Sequence, residues 1–357
     1  MKKALIINEG YSDNLGDQAI NKAVHALLHD LGFKTSFLHF SKPSLTPLPA
    51  YNYRKPKDSC ARKSKLSQLK GLVYIWYWLK KNKKAVLKEL NNKPIQSVVF
   101  GGGQLLNSSG TIAPSGFAIS LYWISRLVKK NTDAKIYLIG IGSSGNFGRL
   151  ERYLYRKAIQ NVTDIWVRDQ YSREVFKNFF KREASVIPDV AFYSSSEVNT
   201  AKNNKDNLAL FGITSYNEVF LKYYQGQDFS REKYFEQLFE EIQSYTAKNI
   251  SVKLFYTTLT DAVECQHFSN YIANKYNVKL EICDISNLSD LMELFKNSSY
   301  VYTARMHGLI LGMKAGCDVK ANLISQKLRS FNSEYILGSE KCGALSNSII
   351  NELQNKL

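Results

Sequence analysis

Cysteine is scarce in this 357-residue chain, and the five present (Cys60, Cys265, Cys283, Cys317 and Cys342) form no CxxC pair. An odd, scattered set of this kind argues against both a disulfide framework and a thiolate zinc site. Histidine is as rare: His25 and His29 stand at i, i+4, a metal-ligand spacing, but the run His-Ala-Leu-Leu-His lacks the glutamate of HExxH and has no third ligand. No metal and no cofactor are expected. Long apolar runs are missing too. The longest, Leu72 to Leu79, falls well short of the roughly 20 residues that span a bilayer. Ala4 to Ile7, behind two lysines, is too short an apolar run for a signal peptide, which predicts a cytoplasmic protein. No GxxxxGK[ST] loop, GxSxG elbow or Asp-x-Asp triplet occurs, which sets aside several common enzyme classes. Low-complexity tracts are absent, and 44% hydrophobic with 22% charged residues is the composition of a folded chain.

Acidic residues are in deficit, 31 against 48 Lys and Arg, for a net charge of +17. The excess is concentrated: residues 54–93 hold 13 Lys or Arg against only Asp58 and Glu89. Such a patch calls for an anionic partner. No nucleic-acid-binding module accompanies it, so an anionic membrane surface on the cytoplasmic side is the partner expected, and nucleic acid is not.

Apolar runs of strand length alternate with helical patterns along the chain. Ala4–Ile7, Thr35–Phe40, Ser97–Phe100, Lys135–Ile139, Asp164–Val167 and Ala184–Ile187 read as strands. Helical patterns at Ile20–Leu31, Phe117–Val128, Arg149–Ile159 and Ser172–Phe180 lie among them. A polar stretch, 194–207, interrupts the pattern before it resumes with strands at Leu208–Ile213, Ser251–Tyr256, Lys279–Ile282 and Tyr300–Thr303. This predicts an α/β protein of two doubly wound Rossmann-like domains facing a cleft, 1–193 and 208–357, joined by 194–207. Ligands of such sheets bind beyond the carboxyl ends of the strands.

Four constellations fall at those ends. Asn14-Leu-Gly16-Asp17 opens the first helix, where Gly16 permits a sharp turn and Asn14 and Asp17 can cap. Gly101-Gly102-Gly103 follows a strand and lets a ligand approach backbone amides. Arg168 leaves another strand end, where its planar fork suits a carboxylate or phosphate, with Ser172 expected to cap the next helix. Arg305-Met306-His307 joins a strand to a helix and combines a cation, a helix N-terminus and a proton carrier.

These segments, in this order and with Gly140-Ile-Gly142 and Pro188-Asp189-Val-Ala-Phe192 between them, resemble the polysaccharide pyruvyl transferase family over roughly residues 4 to 331. The resemblance implies a glycosyltransferase-B type fold and transfer of the pyruvyl group of phosphoenolpyruvate, a co-substrate, to a saccharide acceptor that is expected to be lipid-linked. It also implies that Arg168, Arg305, Met306 and His307 hold the donor, with His307 and Arg305 catalytic. Asn14, Gly16, Asp17 and Gly101 to Gly103 then face the acceptor. The chain departs from the family pattern after the last helix, where Ala315 to Asn322 lacks the usual proline before a hydrophobic strand. Two other readings use the same features: a nucleotide-sugar glycosyltransferase of the same fold, and a non-catalytic binder of anions or glycans.

Overall fold

The computed structural model describes residues 2–10, 12–43, 65–91, 94–110, 113–195, 205–221 and 229–357. The middle of the expected linker, 196–204, and residues 54–64 and 92–93 of the basic insert lie outside the described residues.

Two parallel sheets organise the chain. In the first, β1 (Lys2–Asn8), β2 (Phe33–His39), β3 (Ser97–Gly101), β4 (Lys135–Ile141), β5 (Asp164–Val167) and β6 (Ser185–Val186) stand in the order β2-β1-β3-β4-β5-β6. In the second, β7 (Asp206–Gly212), β8 (Ser251–Phe255), β9 (Glu281–Ile282), β10 (Ser298–Thr303) and β11 (Asp318–Ala321) run β11-β10-β7-β8-β9. The central strands are apolar throughout because helices cover both faces; β3, Ser-Val-Val-Phe-Gly, is buried at every position. β11 was not anticipated. It pairs with β10 from Tyr300↔Asp318 to Thr303↔Ala321, so a strand follows the last motif helix even without the proline.

Helices alternate with the strands. In the first half they are α1 (Leu15–Asp30), α2 (Lys65–Asn91), α3 (Gly116–Asn131), α4 (Arg149–Ile159) and α5 (Gln170–Val175), the last running into a π-helical turn at Phe176–Phe180. In the second they are α6 (Arg231–Thr246), α7 (Leu259–Tyr276), α8 (Leu288–Lys296), α9 (Met306–Lys314), α10 (Gln326–Phe331) and α11 (Cys342–Gln354). Among the described residues no helix is long and apolar enough to cross a membrane.

Strand order places the site. In the first sheet the direction of winding reverses between β1 and β3, and in the second between β7 and β10. Loops leaving such a pair diverge to opposite faces and open a crevice at the carboxyl edge. Both crevices meet. The backbone N–H of Leu15 donates to the Thr257 carbonyl at 2.9 Å, and that of Leu259 donates to Asp13 Oδ2 at 2.9 Å.

The chain ends on the sheet where it began. Leu345, Ile349 and Leu353 of α11 are buried in the core that contains Ala4, Ile6 and Trp166, and Trp166 Nε1 donates to Glu352 at 3.2 Å. Lys2 Nζ donates to the Leu357 carbonyl at 3.0 Å. Residues 342–354, counted with the second half in sequence, therefore pack on the first sheet. Phe192 stacks on Phe331 with centroids 6.3 Å apart, so one apolar cluster runs through both halves.

Candidate active site

Asn14 is the N-cap of α1, its side chain accepting from the Gly16 N–H at 3.0 Å, as its position before the helix predicts. Asp17 sits in the first turn and is not the cap. Gly16 has a second reason to be glycine: a Cβ there would lie 2.4 Å from His307 Nδ1. The imidazole from the second half is laid directly on the α1 backbone of the first. Gly142 plays the same part for Arg168, since a Cβ would stand 2.6 Å from its Nε and Nη2. At the triple glycine, Gly102 and Gly103 take φ +68 and +71, and a Cβ on Gly102 would meet Ile20 Cγ2 at 2.2 Å.

Arg168 is 5% exposed and donates from Nη1 to Asp189 Oδ2 at 3.1 Å, with Asp169 3.5 Å from Nε. The expectation for Ser172 needs correction. Asp169 caps α5, accepting from the Ser172 N–H at 2.7 Å, while the Ser172 hydroxyl accepts from the Ser143 N–H at 2.9 Å. Residue 169 outcompetes residue 172 because it occupies the extended position just before the helix.

Asp189 is the hub that the sequence named without a role. One carboxylate oxygen accepts from the Ala191 N–H at 3.0 Å; the other takes Arg168 and lies 3.6 Å from His307 Nε2. Burial opposes its charge, but the neighbouring His307 and Arg168 outweigh burial and hold the carboxyl well below its usual range. Nε2 of His307 thus faces the Asp189 carboxylate, while Nδ1 lies over Gly16.

Arg305 is tied as tightly. Its Nε and Nη2 donate to the two oxygens of Asp261 at 2.8 and 2.6 Å, and Asp261, fully buried, also accepts from the Ser215 N–H at 3.0 Å. The guanidinium expected to hold the donor thus grips a structural carboxylate, and Arg305 offers the site only the 22% of its side chain that stays exposed. His25 and His29 are placed elsewhere, on the exposed side of α1, bonded to Thr35 at 2.7 Å and Asp30 at 3.3 Å.

A cavity of about 210 Å³ gathers Asn14, Asp17, Arg168, Arg305, Met306 and His307 with Gly103, Gln104 and Lys327. A second, of about 170 Å³, is walled by Asn8, Glu9, Asn21, Phe40, Phe117 and Gly101 to Gly103. Asp17, Gly103 and Gln104 line both, so the two cavities adjoin. A wider groove of about 640 Å³ runs by β6, between Arg173, Arg182, Glu183 and Glu352; none of Asn14, Asp17, Arg168, Arg305 and His307 lines it, and its mixed charges give it no comparable chemistry.

Lys327 and Gln104 complete the inner cavity. The side chain of Lys327 stays open to the cleft solvent, yet it stands where the walls converge. Loss of hydration there, and then repulsion from Arg168, pull its ammonium down toward about 7. Because the folded value is depressed, charge on Lys327 is present below that value and lost as pH rises through it. Affinity for an anionic ligand is therefore expected to decline as pH climbs past about 7. Lys327→Arg should abolish that decline, and binding titrations across the pH range check it; an unchanged profile in the variant would assign the effect to another group.

The family model for polysaccharide pyruvyl transferase matches residues 14–319. No curated protein matches the sequence. Among solved structures, a putative UDP-N-acetylglucosamine 2-epimerase from Listeria monocytogenes is similar at 11% identity and TM-score 0.50, covering 100% of this chain and 89% of that one. The UDP-GlcNAc 2-epimerase from Methanocaldococcus jannaschii is similar at 12% identity and TM-score 0.49, with 99% of each chain covered. A glycosyltransferase from Rickettsia africae follows at 13% identity and TM-score 0.45, covering 99% and 92%. The fold is of the glycosyltransferase-B type, and with the family model covering most of the chain and every residue of the cation cluster except Lys327, the chain belongs to the polysaccharide pyruvyl transferase family.

Proposed function

We propose that the chain transfers the pyruvyl group of phosphoenolpyruvate to two hydroxyls of a saccharide, forming a cyclic ketal. The observation that carries this reading is the inner cavity, where Arg168, Lys327 and Arg305 surround His307 and open into a second, polar and aromatic cavity. Phosphoenolpyruvate has a carboxylate and a phosphate on a three-carbon enol, and fixed cations neutralise both ends. The outer cavity combines amides and carboxylates with Phe117, a lining suited to hydroxyls and to the apolar face of a sugar ring.

His307 gives a proton to the methylene carbon, a saccharide hydroxyl adds to C2, and its proton passes to a base. We assign that role to Asp17, on the wall common to both cavities; burial, first among its influences, raises its carboxyl above the usual range. The C2–phosphate bond then breaks as Arg168 and Lys327 stabilise the departing phosphate. A second hydroxyl adds to C2 to close the ketal, and its proton leaves with the phosphate.

Incubation with phosphoenolpyruvate and a panel of aryl and lipid-linked glycosides tests this directly. Mass spectrometry should show the pyruvyl increment with release of inorganic phosphate, and nucleotide sugars should give no product. Glycosyl transfer from a nucleotide sugar would establish the rival enzyme, and binding without either product would establish the non-catalytic reading.

A further inference from the structure

Helix α2 packs on the protein through Trp78, Asn82, Val86 and Leu90, all buried. Its other side faces solvent. Val73 and Trp76 are each 69% exposed, with Tyr77 at 52% and Tyr74 at 40%. An aromatic cluster this open costs hydration free energy, which a water-facing helix would avoid with polar residues. Trp76 lies beside Trp123 of α3, centroids 5.6 Å apart, and Trp123 Nε1 donates to the Ile75 carbonyl at 2.9 Å, which fixes the cluster in place.

Charge adjoins it. Lys80, Lys81, Lys83 and Lys84 follow within two turns and are all exposed, as are Arg126, Lys129 and Lys130 on α3. Glu89 is the one acidic residue in these two helices. We infer that this face docks on an anionic lipid bilayer, the aromatic rings entering the headgroup layer and the lysines lying against its charge. Aromatics next to cations, with no acidic residue among them, are what such an interface selects. A symmetric contact with a second copy of this chain would set these lysines against one another.

The position adds a purpose. Trp123 is six residues from Phe117, about 9 Å along α3 at 1.5 Å per residue, and Phe117 lines the outer cavity. Docking through this face brings that cavity beside the membrane, where the saccharide of a lipid-linked acceptor would be presented. The docking stands on the surface alone; its service to the acceptor rests on the proposed transferase reading.

Co-sedimentation of the full chain with phosphatidylcholine vesicles, with and without phosphatidylglycerol, tests the inference. Binding should need the anionic lipid and weaken as salt rises. Each lysine near an anionic surface is expected to contribute about fivefold, so changing Lys80, Lys81, Lys83 and Lys84 to Gln should lower partitioning by at least about a hundredfold. Trp76→Ser with Tyr77→Ser should weaken it while leaving the salt dependence. Transfer to a soluble aryl glycoside should be unchanged in both variants, so loss of docking is separable from failure of the transferase reading. Equal binding to neutral and anionic vesicles, or no binding, overturns the inference. So does a stable dimer that Trp76→Asp dissociates, since the patch would then be a contact between copies.

Discussion

His307→Gln is expected to lower turnover by about 10²–10⁴, the usual contribution of a positioned proton carrier. That corresponds to about 2.7–5.5 kcal/mol of barrier. Affinity for phosphoenolpyruvate should change little. Glutamine has nearly the reach of histidine and its amide can face Asp189 as the imidazole does, so the Arg168–Asp189 pair, 3.1 Å apart, keeps its geometry. What disappears is a nitrogen able to exchange a proton over Gly16, where the ring now lies. Phosphate release under saturating donor measures turnover, and calorimetric titration measures affinity. A variant with near wild-type turnover would remove His307 from the proton-transfer role.

Arg305→Ala is expected to destabilise the fold before it reports on donor binding. Asp261, at 0% exposure in the intact protein, would lose both arms of its partner. Stranding one member of a buried ion pair costs about 3–5 kcal/mol, a large part of the total stability of a protein. The denaturant midpoint should drop accordingly. Adding Asp261→Asn removes the stranded charge and should restore much of the loss, since an amide can be buried with its remaining partners. The double variant then isolates the donor role: stability recovered with affinity still low would show that Arg305 contacts the donor. A single variant within about 1 kcal/mol of wild type, ordinary for a surface position, would mean that the Asp261 pair does not hold this loop.

The alternation of strands and helices was readable because apolar runs buried on both faces, such as Val98-Val-Phe100, look unlike the amphipathic helices between them. Sheet order was not readable. β2 and β3 flank β1 at distances of about thirty and ninety residues, and nothing in either strand names its neighbour. β11 escaped notice because Asp-Val-Lys-Ala is a short edge strand with two exposed polar residues. The motif cations were legible one by one, whereas the carboxylates that orient them were not. Asp189 lies 21 residues from Arg168, and Asp261 lies 44 from Arg305. Asp261 also stands three residues after Thr258, where it reads as part of an ordinary helix cap. The detectable signal was a residue type out of place: Asp189 precedes Val-Ala-Phe, a run buried at every position, where an unpartnered charge could not be tolerated.

The return of α11 to the first sheet has a bearing on biosynthesis. A growing chain emerges from its N-terminus and folds as completed units become available. Here the first unit lacks Leu345, Ile349 and Leu353 until the whole second sheet has been made. Its first strands therefore wait with part of their apolar face uncovered while the second unit is synthesised. Closure of the first core and assembly of the crevice between the halves become late, coupled events, so a truncated translation product would carry neither a finished domain nor half a site.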